Sequence, residues 1–229
     1  MKQLFDANKT IETDNLIIRF ISSNDYKDLY TNILNDKDVL KYFLCPYFDD
    51  ISKGKEYIEK LVKNSLKNEI YTFSIVQKSN MEVIGLILQC SIPDVYHNSC
   101  ELGYCLGKKF WNKGYATQAL KAVISYMFDI GIYKVYASHI LENVASSKVM
   151  KKANMIYEGR KHKELYYHGQ YYDCDEYYIL NPILWKYFQY YENNIIYCEK
   201  DVKNQLNHIF LNDRLLLIKE RRRFNIYEY

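Results

Sequence analysis

One stretch limits the architectures open to this chain more than any other: residues 100–127, CELGYCLGKKFWNKGYATQALKAVISYM. Cys100 to Leu106 alternates in the manner of a strand, and Gly107 to Gly114 reads as a tight turn. From Tyr115 onward the apolar residues Ala116, Leu120, Val123, Ile124 and Met127 fall at helical spacing. A strand that runs straight into a helix presents the first backbone N–H groups of that helix, and the positive end of its dipole, at one spot. Such a spot binds anions. Gly114 permits close backbone approach, Ala116 adds little bulk, and the Thr117 hydroxyl offers one more donor. Two common phosphate signatures are absent. Asn112 stands where the second glycine of G-x-x-x-x-G-K-[ST] would fall, and G-x-G-x-x-G does not occur.

The flanking chain alternates strands with helices. Leu16 to Phe20 is a short strand, preceded by a loose polar arm. Ser22, Ser23 and Asn24 offer caps to a helix from about Asp25, with Tyr26, Leu29, Tyr30, Ile33 and Leu34 on one face. Residues 44–50 form a break around Pro46. A second helix is expected from about Ser52 to Leu66, with Tyr57, Ile58, Leu61, Val62 and Leu66 inward. Tyr71 to Gln77 and Glu82 to Cys90 read as a hairpin, the second strand central and Gly85 marking a bulge or a close backbone approach. Tyr133 to Ile140 is a further strand. Asn143 sits at its end, before a helix from about Ala145.

Two motifs carry a resemblance. The turn W-N-K-G-Y-A (Trp111 to Ala116) fits [QR]-x-x-G-x-[GA] except at its first residue. The segment after the last strand gives Asn143, Ser146, Val149, Lys152, Asn154, Met155, Glu158 and Gly159, following N-x-x-S-x-x-V-x-x-K-x-G-[MF]-x-x-E-G with Asn in the glycine place. Asn is the side chain that best tolerates the left-handed turn ending a helix. Thr13, Leu16 and Arg19 add a T-x-x-L-x-x-R opening. Over about residues 10–181 the chain resembles the GNAT superfamily of acetyl-CoA-dependent N-acetyltransferases, most closely the branch that acetylates ribosomal-protein N-termini.

The resemblance implies an α/β (α+β) fold. It has a mixed, mostly antiparallel central sheet that splays between its fourth and fifth strands, and helices on both faces. The resemblance covers a GNAT-like domain (13–181) that follows an arm (residues 1–12); outside the resemblance lies a helical extension (182–229), where the sequence pattern predicts helices at Ile183 to Tyr191 and Glu199 to Arg223. It also implies a site. Acetyl-CoA would lie with its pantetheine against the backbone of Tyr104, Cys105 and Leu106 and the side chain of Asn143. Its pyrophosphate would rest on the loop of Trp111, Asn112, Lys113, Gly114, Tyr115, Ala116 and Thr117. The loop between the first two helices (Tyr47, Phe48, Asp49 and Asp50) would wall the acceptor site, with Tyr166 and Asp173 from the last hairpin. Asp173 has anchoring of the strand as its other reading.

The implied reaction is direct attack of an amine on a thioester in a ternary complex. Deprotonating a lysine-like amine at pH 7 costs roughly 4.6 kcal/mol, and an α-amine about 1 kcal/mol. Glu101 and Glu164 are candidate general bases, with solvated strand-edge carboxylates the plainer reading of each. The N–H of Leu106 is the candidate polariser of the thioester carbonyl. Ser146 is the candidate proton donor to the thiolate, or else an ordinary helix-start serine. Cys105 has no neighbouring histidine in sequence and is not read as a nucleophile.

Composition bounds the rest. A hydrophobic share of 48% is enough for a core, and a net charge of +3 is too small to argue for nucleic acid. No apolar run approaches the ~18 residues of a membrane span. The start lacks a signal-peptide core, and the six cysteines include no C-x-x-C pair, a pattern of reduced thiols that points to the cytoplasm. His139 and His162 are read as structural, and no metal is expected. The basic run Lys219 to Arg223 suits a solvated helix end, with packing on the domain or on a second copy of the chain as the role of the extension. The acceptor is left open between a peptide N-terminus and a small amine. An acidic pocket of Asp49, Asp50 and Glu101 would favour polyamines or aminoglycosides, and a narrow aromatic one a peptide. A non-catalytic acyl-CoA-binding module is the remaining alternative.

Overall fold

The computed structural model describes residues 8–67, 71–90, 98–167 and 169–183. The chain forms β1 (Thr10–Glu12), β2 (Leu16–Phe20), α1 (Tyr26–Leu29), α2 (Lys37–Leu40), α3 (Ile51–Leu66), β3 (Thr72–Gln77), β4 (Val83–Gln89) and β5 (Ser99–Leu106). These are followed by α4 (Tyr115–Asp129), β6 (Lys134–Ile140), α5 (Val144–Lys152), β7 (Ile156–Tyr167) and β8 (Gln170–Leu180). The strands form one sheet in the order β1-β2-β3-β4-β5-β6-β8-β7. Only the β5–β6 contact is parallel among these pairings.

Alternation along the strands assigns the two faces. Leu16, Ile18, Phe73, Ile75, Leu102, Leu106, Val135 and Ala137 point to the face covered by α4, where Leu120, Val123 and Met127 are fully buried. On the other face Val76, Val83, Leu86 and Cys105 meet Leu29, Ile33, Leu34 and Ile58 from α1, its continuation and α3. Ser22 opens α1 with a reciprocal capping box to Asp25 in the turn Ser23–Asp25. The helix then widens into a π turn, Tyr30–Leu34. Gly85 faces β5 so closely that a Cβ there would lie 2.5 Å from the Cys105 carbonyl oxygen. A register shift between Ile75 and Val76 marks the bulge beside it.

Some expectations are corrected. The N-terminal arm is not loose throughout, because Thr10–Glu12 pairs with Ile17–Arg19 as an edge strand, and the expected fourth and fifth strands are therefore β5 and β6. Leu66, expected inward, is 67% exposed at the last turn of α3. The short helix α2, capped by the Asp36 carboxylate on the N–H groups of Asp38 and Val39, precedes the break at residues 44–50 and is not among the expected helices. The helices expected at 183–191 and 199–223 lie outside the described residues, apart from Ile183.

Candidate active site

β5 and β6 pair only at Ser99–Lys134, Cys100–Val135 and Glu101–Tyr136, and then part. The hydrogen-bond phase says which backbone groups this leaves. Cys90 N–H donates to Glu101 O and Gly107 N–H to Ile84 O, so the odd residues of β5 turn their amides toward β4. Tyr104 and Leu106 therefore turn theirs into the gap. Cys105, expected as a backbone contact there, points its amide to β4 and its thiol into the opposite core. The Leu106 carbonyl is already taken by the indole N–H of Trp111 at 2.7 Å. Trp111 thus braces the loop against the end of β5.

The loop itself carries a 3-10 turn, Lys108–Phe110, and two left-handed residues, Asn112 (φ 61°) and Gly114 (φ 80°). Asn is, after glycine, the residue that best tolerates that conformation. No side chain caps α4, and its first α-helical bond runs from Gln118 N–H to Gly114 O. The N–H groups of Tyr115, Ala116 and Thr117 are consequently free of intrahelical partners. Lys113 lies 5.7 Å from the Phe110 ring centroid, whereas Lys108 and Lys109 are paired with Asp38 and Glu82.

Across the gap, Asn143 caps α5. Its Oδ1 accepts from Ser146 N–H at 3.3 Å and its Nδ2 donates to Ser146 Oγ at 3.1 Å. That second bond fills an acceptor site on the hydroxyl and leaves its proton free to be donated. Tyr104 Oη donates to the Ser146 carbonyl at 3.0 Å, which fixes Ser146 at the level of Tyr104 along β5. Asn154 ends the turn after α5 with φ 64°, the left-handed role read from its sequence place.

Glu101, Gly103 and Cys105 point to the other face. The Glu101 carboxylate accepts from Ser138 Oγ on β6 at 3.2 Å. Ser138 stands beside Glu176 on β8, and Glu176 accepts from Lys161 Nζ on β7 at 2.5 Å. A polar row therefore crosses the sheet from the point of splay to its edge. Burial raises Glu101 above the ordinary carboxylate range; the Ser138 bond opposes this, Glu176 adds to it, Lys161 opposes it and Glu164 adds to it. Glu164 itself is 52% exposed on a bulge of β7 and lies 3.9 Å from Lys161. Asp173 holds that bulge. It accepts from Lys163 N–H at 2.9 Å and pairs with His162 Nδ1 at 2.9 Å.

On the face of the sheet that carries Cys105 lies a cavity of about 720 Å³, with Cys45 of the shared buried cluster in its wall. Tyr47 belongs to its wall, as do Leu40, Leu44, Cys45 and Pro46, and Tyr167 and Tyr172 close it from the β7–β8 hairpin. Cys45 joins Cys105 in one buried cluster, and Phe43 lies where a Cβ on Gly103 would meet it at 3.8 Å. Phe48, Asp49 and Tyr166 are not in the wall. Phe48 packs on Tyr57 with ring centroids 5.4 Å apart, the Asp49 backbone carbonyl accepts from Tyr30 Oη, and Tyr166 is 62% exposed against Tyr171. Asp50 caps α3 through Ser52. Asp49, Asp50 and Glu101 are likewise not in the wall of this cavity. Sequence reading missed Tyr42, Lys37 and Lys41 in this wall; the spacing Lys37, Leu40, Lys41, Leu44 after the cap Asp36 was the available signal. It missed Ser138 as well, which only the pairing of distant strands brings to Glu101.

His139 is buried against Tyr177, with Nδ1 2.8 Å from the Ile140 carbonyl. Burial pushes the thiol of Cys45 up to about 11 and that of Cys100 to about 12, and holds Cys105 well above the ordinary thiol value.

Residues 15–156 match the family model described as the acetyltransferase (GNAT) domain. An uncharacterized N-acetyltransferase, p20 of Bacillus licheniformis, is 30% identical over 152 residues, 66% of this chain and 84% of its own length. Among solved structures, a GNAT-family acetyltransferase from Bacillus anthracis superposes with a TM-score of 0.66 at 24% identity, covering 76% of this chain and 99% of that one. RimL, a ribosomal L7/L12 α-N-protein acetyltransferase solved with coenzyme A, gives 0.68 at 19% identity over 75% and 98% of the two chains.

Proposed function

The chain belongs to the GNAT acetyltransferase family, and from that premise we propose that it moves the acetyl group of acetyl-CoA to a primary amine seated in the cavity on the Cys105 face of the sheet. The observation that carries the reading is the splay. Tyr104 and Leu106 turn unpaired amides into a gap that leads directly to the uncapped, glycine-opened N-terminus of α4. An extended pantetheine can add there as a strand would, with its pyrophosphate on the N–H groups of Tyr115, Ala116 and Thr117.

The level of the chemistry follows from reach. Leu106 is five residues from Glu101, roughly 16 Å along an extended strand, and Tyr104 is roughly 10 Å. Ser146 stands at Tyr104. The Tyr104 N–H, rather than that of Leu106, is therefore assigned the thioester carbonyl, and Leu106 the pantetheine. The amine nitrogen attacks the carbonyl carbon, an N–C bond forms and the C–S bond breaks. The amine proton leaves toward Glu101 through water, and Ser146 Oγ–H protonates the departing thiolate. Glu101 is favoured over Glu164 because it is half-buried, held by Ser138 and on the cavity face. Direct attack is supported by the state of Cys105, whose thiol is protonated and packed in the core.

Gly114→Glu tests the anion site cleanly. Nothing lies within 4 Å of a Cβ at that position, so a side chain there begins in open space. The backbone cost of φ 80° in a non-glycine residue is about 1–2 kcal/mol. The variant is expected to stay folded and to lose acetyl-CoA binding by calorimetry at least tenfold. Unchanged affinity would remove the loop from the site.

A further inference from the structure

We infer that the acceptor is a small amine with an aromatic or apolar body and an anionic group remote from its nitrogen, recognised by Lys37 and Lys41. The inference rests on the acetyl-transfer reading for the identity of the cavity, and it concerns what the cavity selects. The wall is aromatic: Tyr42, Tyr47, Tyr167 and Tyr172 contribute rings from both sides. Its charged members among the described residues are Lys37 and Lys41, with no carboxylate among those residues. Both ammonium groups are turned over those rings, Lys37 Nζ 4.8 Å from the Tyr47 centroid and Lys41 Nζ 5.0 Å from that of Tyr42. Neither ammonium forms an ion pair among the described residues; the nearby Asp38 carboxylate is held by Lys108.

Two lysines in the wall, Lys41 already drawn to Tyr42 and weakly to Asp38, disfavour a polyamine by like-charge repulsion and favour a carboxylate, sulfonate or phosphate. A volume of about 720 Å³ lies in the range of small-molecule pockets. The anion is placed remote from the nitrogen because Lys37 and Lys41 belong to α2 and its C-terminal cap, whereas the amine must reach the thioester at the splay on β5.

A matched trio of probes isolates charge: 4-(aminomethyl)benzoate, benzylamine and 1,4-bis(aminomethyl)benzene. Binding is measured by calorimetry with coenzyme A present, and turnover by thiol release from acetyl-CoA. The wild type is expected to favour the benzoate at least tenfold over the diamine in affinity. In Lys37→Gln/Lys41→Gln, two exposed substitutions, that ratio is expected to fall to about twofold, as it should in the wild type at high salt. Selective binding without turnover would support the charge reading and count against transfer to such acceptors. Turnover with no charge preference, or a preference that the double variant keeps, would overturn the inference while leaving acetyl transfer standing. Failure of all three probes to bind would also overturn it, and acetyl-CoA binding in the same samples would show whether the transfer reading falls with it.

Discussion

Ser138 shows how a residue without obvious chemistry can set that of another. Its hydroxyl supplies the hydrogen bond that lowers Glu101 against the effect of burial. A general base works only when ionised, so the acid limb of the pH–rate profile follows the Glu101 value. Ser138→Ala removes a lowering influence, and that limb is expected to move to higher pH, with the plateau rate less affected. Glu101→Gln should lower the plateau itself by about 10²-fold or more. An unmoved limb in the serine variant would exclude Glu101 as the titrating base. Asp25 is the structural counterpart. It is 3% exposed and receives Arg19 at 2.7 Å, Ser74 Oγ at 2.7 Å and Ser22 N–H at 2.9 Å. Burial would raise its pKa, but the bonds from Arg19, Ser74 and Ser22 outweigh that and lower it. Its contribution is complete above the unfolded value of ~3.9 and is lost as pH falls through the lower folded value. Asp25→Ala is expected to cost on the order of 3 kcal/mol in urea unfolding at pH 7, the low end for a broken buried pair because Arg19 stays one-third exposed.

At the scale of elements, the sequence spoke clearly wherever period and punctuation agreed. Leu16–Phe20 has its expected bounds, α4 begins at Tyr115 after a left-handed glycine, and Asn154 takes the left-handed turn. It was mute where an element owes its place to a distant partner. Thr10–Glu12 is a strand because Ile17–Arg19 is there to pair with it, and α2 is a single turn whose only sequence signal is the cap Asp36 and a short run of helical spacing after it. Leu66 misled because an apolar residue at helical spacing says nothing of whether the sheet still lies beneath it. Gly85 was legible as a close approach, and its neighbour is now known. A methyl group there would press on the Cys105 carbonyl and the Leu106 side chain, the strand that lines the splay. Gly85→Ala is expected to cost about 1–3 kcal/mol by chemical denaturation and to weaken acetyl-CoA binding as well. A destabilised variant of unchanged affinity would show that β5 can shift without disturbing the gap.

At the scale of the molecule, the described residues form two half-sheets joined weakly at their centre. β1 to β5 and β6 to β8 meet in one ladder through three residue pairs, with α4 and α5 packed together behind it. The motifs announced the two sides of the gap separately, the loop from one half and Asn143 with Ser146 from the other. The acceptor cavity was much less legible, because its wall gathers α2, the following loop and a hairpin more than a hundred residues later, and no local pattern encodes that meeting. A ligand lying along the gap must stitch the halves together, and the backbone phase says where this will register. Tyr104 and Leu106 N–H face the gap and have no backbone partner among the described residues, whereas Cys105 N–H is turned to β4. Amide hydrogen exchange should therefore be fast at 104 and 106 and slow at 105 in the free protein. Saturating acetyl-CoA should slow 104 and 106 sharply, leave 105 nearly unchanged, and raise unfolding stability by about 2.7 kcal/mol at a hundredfold excess over Kd. Uniform protection of all three would mean that binding stabilises the whole domain without adding a strand-like partner to β5. Protection that begins only at the Gly107 to Gly114 loop would confine the ligand to its phosphates and leave the proposed thioester position at Tyr104 without support.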